Sequence, residues 1–273
     1  MAAGLQFRIR EFRDELRVLG DLAAPFLAPG GEGVLEEFRR QVESLWGIAE
    51  NSSITLRIDP TWPLQTIASA GAYEHGGGGR FKSLFCKIFL AWTVRPLGQP
   101  VKQPSGNRAF EISGEASTVI ELFIDPFEEL GDGHSGEELK VASWRMEMGN
   151  RTEAGQAFPG PLFHTQIPEV GALEEFRLWP HWLSVPRLPT MPFTPMAAIE
   201  FALAETFQEN WVEYVESPGL QRNSLEQWAR IQSLRLVAFL RWQQEVVSAA
   251  AGPTPLVALK MAAPQSDVFV GLT

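Results

Sequence analysis

The chain has 273 residues, of which 45% are hydrophobic and 21% are charged. These fractions exclude a chain that is disordered throughout, and the length is sufficient for one large core or two small ones. The formal net charge of −10 argues against a general affinity for nucleic acid or anionic membranes, because proteins that bind those polyanions carry a basic surface.

The first part of the chain predicts two helices. Residues 5–19 place an apolar residue at every third or fourth position, which is the stripe of an amphipathic helix. The stripe consists of Leu5, Ile9, Phe12, Leu16 and Leu19. A segment rich in Gly and Pro follows at 25–33, and residues 34–47 predict the second helix.

Basic and acidic residues alternate along the first predicted helix. They are Arg8, Arg10, Arg13 and Arg17, interleaved with Glu11, Asp14 and Glu15. Mixed charges at this spacing are typical of a solvated helix face. We therefore interpret the cluster as surface, with a local basic groove as the alternative.

The middle of the chain changes to the period of β-strands. Residues 53–58 alternate apolar and polar side chains, as a half-buried strand does. Residues 83–94 are apolar on both alternating sets, so we expect a central strand that is covered on both faces. Two short strands, 108–112 and 117–124, are expected on either side of Ser113–Gly114.

Two further strands and two long helices complete the pattern. The strands 139–148 and 162–167 are joined by a loop rich in Gly and Pro, which favours antiparallel neighbours. Thr194 is a favourable N-cap residue and is followed by Pro195, so the two predict the start of a helix over 196–215. The last helix is expected from residue 224 to about residue 250.

This order of elements predicts an α+β fold. We expect a mostly antiparallel central sheet of five to six strands with the N-terminal and C-terminal helices packed on it. We expect one domain over 1–250 and an extended tail over 251–273. The parts of that domain are the N-terminal helices 5–47, the sheet 53–167, a Pro-rich strap 168–194 and the C-terminal helices 195–250.

Few residues carry recognisable chemistry. The single cysteine, Cys86, excludes a disulfide within the chain and lies in an apolar run, which favours a buried structural thiol. The histidines, His75, His134, His164 and His181, show no metal-binding spacing. We therefore expect neither a metal nor a cofactor.

One polar constellation follows from the two strands 139–148 and 162–167. Arg145 and Glu147 share one face of the first strand, and His164 and Gln166 share one face of the second. In antiparallel neighbours these four side chains converge, because cross-strand side chains on one face lie about 5 Å apart. A carboxylate beside an imidazole suits general acid–base catalysis. The alternative, which we favour, is the solvated face of an antiparallel sheet.

A second candidate lies in the Pro-rich strap. Trp179, His181, Trp182 and Arg187 belong to a stiff, aromatic and extended segment that could dock on a partner protein. The alternative, again favoured, is a strap laid over the sheet that buries its two tryptophans.

Three classes of function remain, in decreasing order of support. The missing motifs and the excess of Trp and Phe favour a non-catalytic binding or adaptor protein that acts through protein–protein contacts or self-association, in a larger assembly. The alternative is a hydrolase or transferase that acts on an anionic substrate through His164, Glu147 and Arg145. A nucleic-acid-binding module ranks last.

The expected location is cytoplasmic, by elimination. No apolar run approaches the ~20 residues that span a bilayer, so we expect no membrane partner. Charged residues also interrupt the first residues before a secretory pattern forms.

Overall fold

A computed structural model describes residues 5–50, 52–69, 73–74, 80–81, 84–101, 108–124, 138–148, 163–166, 188–189, 194–217, 219–249 and 254. Within these ranges an antiparallel sheet carries helices from both ends of the chain, which confirms the predicted α+β class.

Helices occupy the two ends of the described chain, and strands occupy its middle. The helices are α1 (Ile9–Ala23), α2 (Gly31–Ser44), α3 (Pro195–Phe207), α4 (Glu209–Glu216) and α5 (Arg222–Ser248), with 3-10 turns at Ala24–Phe26 and Gly219–Gln221. The strands are β1 (Gln6–Arg8), β2 (Ile54–Ile58), β3 (Leu64–Gln65), β4 (Tyr73–Glu74), β5 (Arg80–Phe81), β6 (Leu84–Pro96), β7 (Ala109–Ile124), β8 (Leu139–Met148), β9 (Phe163–Gln166) and β10 (Leu188–Pro189).

The main sheet has the strand order β10-β9-β8-β7-β6-β2, and every pairing in it is antiparallel. β1 extends it beside β7, and β3 pairs with β6. β4 and β5 pair only with each other among the described strands. Strands that neighbour each other in sequence therefore pair antiparallel in the main sheet, as predicted for strands without helical patterns between them.

One face of the sheet packs against the helices. On β6 the alternate residues Leu84, Cys86, Ile88, Leu90, Trp92 and Val94 are all buried. This confirms the predicted inner face and the central position of the strand. On the opposite face Phe85 is buried, but Phe89 and Ala91 stay half-exposed, so the prediction of cover on both faces holds only in part.

Burial also determines the acidity of the single cysteine. Cys86 is fully buried on the inner face of β6, which confirms a packed thiol. Loss of solvation raises the pKa of this thiol to about 11, against the weaker opposing effect of hydrogen bonds from Thr206 and Thr66.

The prediction of two short strands around Ser113–Gly114 is wrong, because β7 runs without interruption for 16 residues. The register with β6 shifts across this point, from Trp92 opposite Ala116 to Val94 opposite Ile112. Extra residues in one strand make a bulge, and glycine permits the close backbone approach that a bulge needs. A Cβ atom on Gly114 would lie only 3.0 Å from Cγ2 of Thr93.

Three predicted helix boundaries differ from the structure. The second helix is Gly31–Ser44 rather than 34–47. The first helix begins at Ile9 rather than at residue 5, because Gln6–Arg8 pairs with β7 instead. The predicted helix over 196–215 is two helices, since Gln208 adopts a φ of 44° between α3 and α4. The predicted start of α3 is confirmed, because the Thr194 hydroxyl accepts a hydrogen bond of 3.2 Å from the backbone N–H of Ala197.

A buried arginine ties the end of α2 to the sheet. The guanidinium of Arg108 donates hydrogen bonds of 2.6–3.1 Å to five backbone carbonyls. The acceptors are the carbonyl oxygens of Leu45, Trp46, Ile48, Leu97 and Gly98. All five acceptors follow the end of α2 or the end of β6, and one guanidinium supplies enough donors to satisfy these carbonyls together.

A side chain also protects the outer edge of β2. The backbone N–H of Arg57 donates to the side-chain oxygen of Gln41 at 2.8 Å, and the Gln41 amide donates back to the Arg57 carbonyl at 3.1 Å. The amide of Gln41 thus replaces a neighbouring strand at this residue. Capping an edge in this way hinders pairing with another chain.

Candidate functional site

Of the predicted polar constellation, Arg145 and Glu147 lie on the sheet face that points away from the helices. In the register of β8 and β9, Glu147 is opposite His164 and Arg145 is opposite Gln166. The backbone therefore brings the four positions together as the sequence predicted. The side chains of His164 and Gln166 lie outside the described part of the chain. Their roles in catalysis stay a prediction.

The other face of β8 confirms this orientation. Met146 and Met148 are buried there, and the ring of Trp144 makes an edge-to-face contact with Phe201 of α3 at 5.6 Å. Because side chains alternate along a strand, Arg145 and Glu147 must point to the opposite, more open face.

Arg145 is already neutralised by two carboxylates. Its Nη2 lies 2.6 Å from Oε1 of Glu115, and its Nε lies 2.7 Å from Oε1 of Glu147. The Arg145 side chain is 38% exposed, and ion pairs this open to solvent contribute little to stability. For catalysis, the same contacts leave this guanidinium with less charge to offer an anionic substrate.

Similar ion pairs continue across this face of the sheet. Nζ of Lys140 donates to Oε1 of Glu121 at 2.9 Å, and Nζ of Lys87 contacts Oε2 of Glu138. Charges of opposite sign thus alternate between neighbouring strands, which stabilises a solvated antiparallel sheet. This pattern agrees with the interpretation favoured over a catalytic patch, namely that this face of the sheet is solvated.

The second predicted candidate falls outside the structural description. Trp179, His181, Trp182 and Arg187 all belong to the undescribed range 167–187. The described residues nearest to them form β10, in which Leu188 is opposite Thr165 and Pro189 is opposite His164. Docking by the strap therefore stays a prediction.

The structure reveals a buried polar cluster that the sequence interpretation missed. Glu15 of α1 is fully buried, so its assignment to a solvated helix face is wrong. Its Oε1 accepts hydrogen bonds from Gln232 at 3.0 Å and from Thr194 at 3.3 Å. Its Oε2 accepts a hydrogen bond from Nη2 of Arg235 on α5. The cluster thus joins α1, the start of α3 and α5.

The guanidinium of Arg235 is also buried, although less completely than Glu15. It lies 5.5 Å above the ring of Phe7, in a cation–π contact. Within the described ranges its Nε and Nη1 atoms have no hydrogen-bond partner. Desolvation of both groups therefore offsets much of the attraction between Arg235 and Glu15.

A second carboxylate with a perturbed pKa lies beside this cluster. Burial raises the pKa of Glu200 on α3, the charge of Glu15 raises it further, and the Trp228 indole opposes the shift. Burial also raises the pKa of Glu15, although Arg235, Gln232 and Thr194 act in the opposite direction. Perturbed carboxylates mark functional sites in many proteins, but structural networks produce the same signature.

The remaining feature is an apolar stripe on the outward side of α5. It consists of Leu236, Val237, Leu240 and Val247, whose residues are 38–52% exposed. We call these four residues the α5 stripe. The opposite side of the same helix is buried and includes Trp228, Phe239 and Trp242. A helix that is apolar on both sides is typical of a buried element, yet α5 is covered on only one side among the described residues.

Within the described ranges, no three His, Cys, Asp or Glu side chains are grouped as a metal site requires. None of the described helices combines the length and the apolar content needed to cross a bilayer. Comparisons with protein-family models, with curated proteins and with solved structures found no match for the chain.

Proposed function

We propose that this chain is a non-catalytic binding or adaptor protein that acts through protein–protein contacts made by the α5 stripe. The observation that carries the proposal is the exposure of four large apolar residues on one face of one helix. From their exposed fractions, they present roughly 300 Å² of apolar surface along one face of α5, which is at the lower end of the range for the largest apolar patch of a monomer, and such patches are often functional.

The anchoring of α5 supports this proposal. Trp228, Phe239 and Trp242 hold the helix in the core, and Arg235 pairs with Glu15 below it. The stripe is therefore presented by a fixed helix rather than by a loop, so that little conformational entropy is lost when a partner binds. A rigid apolar helix face is one half of a helix-in-groove or helix-pair interface.

The test is a substitution of the stripe with a matched control. Leu236→Glu with Leu240→Glu places two charges at the centre of the stripe. Leu220→Glu places a charge at an apolar residue that is 99% exposed and precedes α5. All three positions already face solvent, so we expect the melting temperature to change little in each variant.

Binding is then measured with a photo-crosslinking side chain at residue 237. We expect a crosslinked species, either a second copy or another protein, whose yield falls at least tenfold in the Leu236→Glu/Leu240→Glu variant. The Leu220→Glu control should keep that yield. An equal yield in all variants, or no crosslinked species at any concentration, contradicts the proposal.

An enzyme is the second candidate, and one observation favours it. The register places Glu147 directly opposite His164, which is the juxtaposition that a hydrolase or transferase site would need. The test is His164→Ala: loss of a hydrolase or transferase activity with an unchanged melting temperature supports a catalytic role. An equal loss of stability assigns His164 to the structure.

A further inference from the structure

We propose that the partner of the α5 stripe is a second copy of this chain, bound with the two α5 helices antiparallel about a twofold axis near residue 238. This inference rests on the proposed function, since it names the partner of the same surface. Three properties of α5 support it: the distribution of side-chain size, the distribution of charge and the area of the stripe.

Side-chain size changes along the outward face of the helix. Ala229 and Ser233 are exposed on the same side as the stripe, one to three turns before its large residues. An antiparallel pair centred near residue 238 places Ala229 opposite Val247 of the second copy and Leu236 opposite its Leu240. Small residues then face large ones at the ends, whereas a parallel pair leaves a gap where Ala229 meets Ala229.

The charges of α5 favour the same direction. Arg230 and Glu245 are exposed on the same flank of the stripe, and neither makes an ion pair within the described part of the chain. In the antiparallel register Arg230 of one copy lies within one residue of Glu245 of the other, and the symmetry repeats this pair. In a parallel dimer each flank of one copy faces the other flank of the second copy, so Arg230 and Glu245, which share a flank and lie 15 residues apart, could not pair.

The surroundings of the stripe also suit self-association in an acidic chain. The chain as a whole carries a net charge of −10, which makes two copies repel each other at most surfaces. The sequence of α5 contains four arginines and two glutamates, and one of those arginines is neutralised by Glu15. Positive and negative charges on α5 therefore nearly cancel, so the repulsion between two copies is weakest at the stripe.

The area limits the expected strength. Two copies together contribute roughly 600 Å² of apolar surface, which is less than the total of about 1,000 Å² buried by specific complexes, so the polar margin of the stripe must supply the rest. We therefore expect a dimer that dissociates in the micromolar range rather than a permanent one. A symmetric pair of this kind uses the same patch on both copies, so that it closes and does not grow into a filament.

The first measurement is the oligomeric state of the purified full chain by sedimentation velocity, from about 1 µM to about 200 µM, a range that brackets micromolar affinity. We expect the wild type and Leu220→Glu to shift from monomer to dimer, and Leu236→Glu/Leu240→Glu to need at least tenfold more protein. Arg230→Glu should weaken the dimer, and adding Glu245→Arg should restore it. Failure of this restoration contradicts the antiparallel register.

The second measurement tests the direction by disulfide formation. Ala229→Cys mixed with Val247→Cys should form a disulfide between two copies, whereas Ala229→Cys alone should not. Cys86 does not compete, because it is fully buried. Rapid disulfide formation by Ala229→Cys alone indicates a parallel pair and overturns this inference.

The two proposals fail in different ways. A chain that stays monomeric at about 200 µM but crosslinks through the stripe to a different protein overturns the dimer and leaves the binding function in place. A chain that stays monomeric and has no stripe-dependent partner overturns both.

Discussion

Replacing Arg235 by methionine should remove, among the described residues, the one countercharge of a fully buried carboxylate. Glu15 is 0% exposed, and Arg235 is the one cation bonded to it among the described residues. Breaking a buried ion pair from one side costs about 3–5 kcal/mol, because an uncompensated charge is left in the core. We expect urea denaturation at pH 7.5 to report a loss of stability of this size.

The dependence of that loss on pH identifies its cause. Burial already raises the pKa of Glu15 above its ordinary value of 4.5, and Arg235 opposes this shift. Without Arg235 the folded-state pKa rises further, so the native variant holds a proton that the unfolded chain releases. A group of this kind supports folding below its unfolded-state pKa and loses that support as the pH rises through the folded-state pKa. The loss caused by Arg235→Met should therefore be large at pH 7.5 and much smaller at pH 4.5.

The double variant Glu15→Gln/Arg235→Met is the control. It leaves no charge in the cluster, so it should recover most of the stability that Arg235→Met loses at pH 7.5. A loss below about 1 kcal/mol for Arg235→Met, or a loss that is equal at the two pH values, would show that the pair is not buried as described.

Three further variants test other parts of the structure. Arg108→Lys should cost about 2–3 kcal/mol in urea denaturation, because three ammonium donors cannot satisfy five carbonyls and buried acceptors without partners are expensive. Burial raises the pKa of Glu200, so this carboxyl should make the wild type lose stability as the pH rises from 4.5 to 7.5. Glu200→Gln cannot ionise and should lose less stability over the same pH range. Gly114→Ala should lower the melting temperature, at a cost of about 1–3 kcal/mol, and Thr93→Ala should restore much of it by removing the atoms that the new Cβ meets. A Gly114→Ala chain as stable as the wild type would contradict the close contact at the bulge.

The sheet was the most predictable part of the fold. Along β8 the apolar and polar residues alternate without exception from Trp144 to Glu147, so the period of two determined which side chains face the helices. The predicted pairing with 162–167 agrees with the register of Glu147 and His164, because strands that follow each other in the sequence usually lie next to each other in the sheet.

The errors in the fold arose where tertiary contacts override local pattern. Leu5 and Ile9 fit a helical stripe, and three residues between them are too few to show the period of a strand. Only pairing with β7 distinguishes β1 from the start of α1. Likewise, Gln208 carries no local signal for its positive φ, since neither glycine nor proline is present there.

The buried ion pair did leave a signal in the sequence. Glu15 is three residues after Phe12 and four before Leu19, so it lies on the apolar side of α1. Arg235 is four residues after Ile231 and four before Phe239, so it interrupts the buried side of α5. Opposite charges that each interrupt an apolar stripe predict a buried pair, whereas counting mixed charges along the helix predicted a solvated face.

The contact between Glu15 and Arg235 joins residues that are 220 positions apart. At translation speeds of about 5–20 residues per second, Glu15 is synthesised roughly 10–45 s before Arg235. Throughout that time the nascent chain must keep the apolar side of α1 and the inner face of the sheet away from other chains. Production of this protein in cells should therefore depend on chaperones that bind nascent chains, and it should improve when synthesis is slowed by cooling.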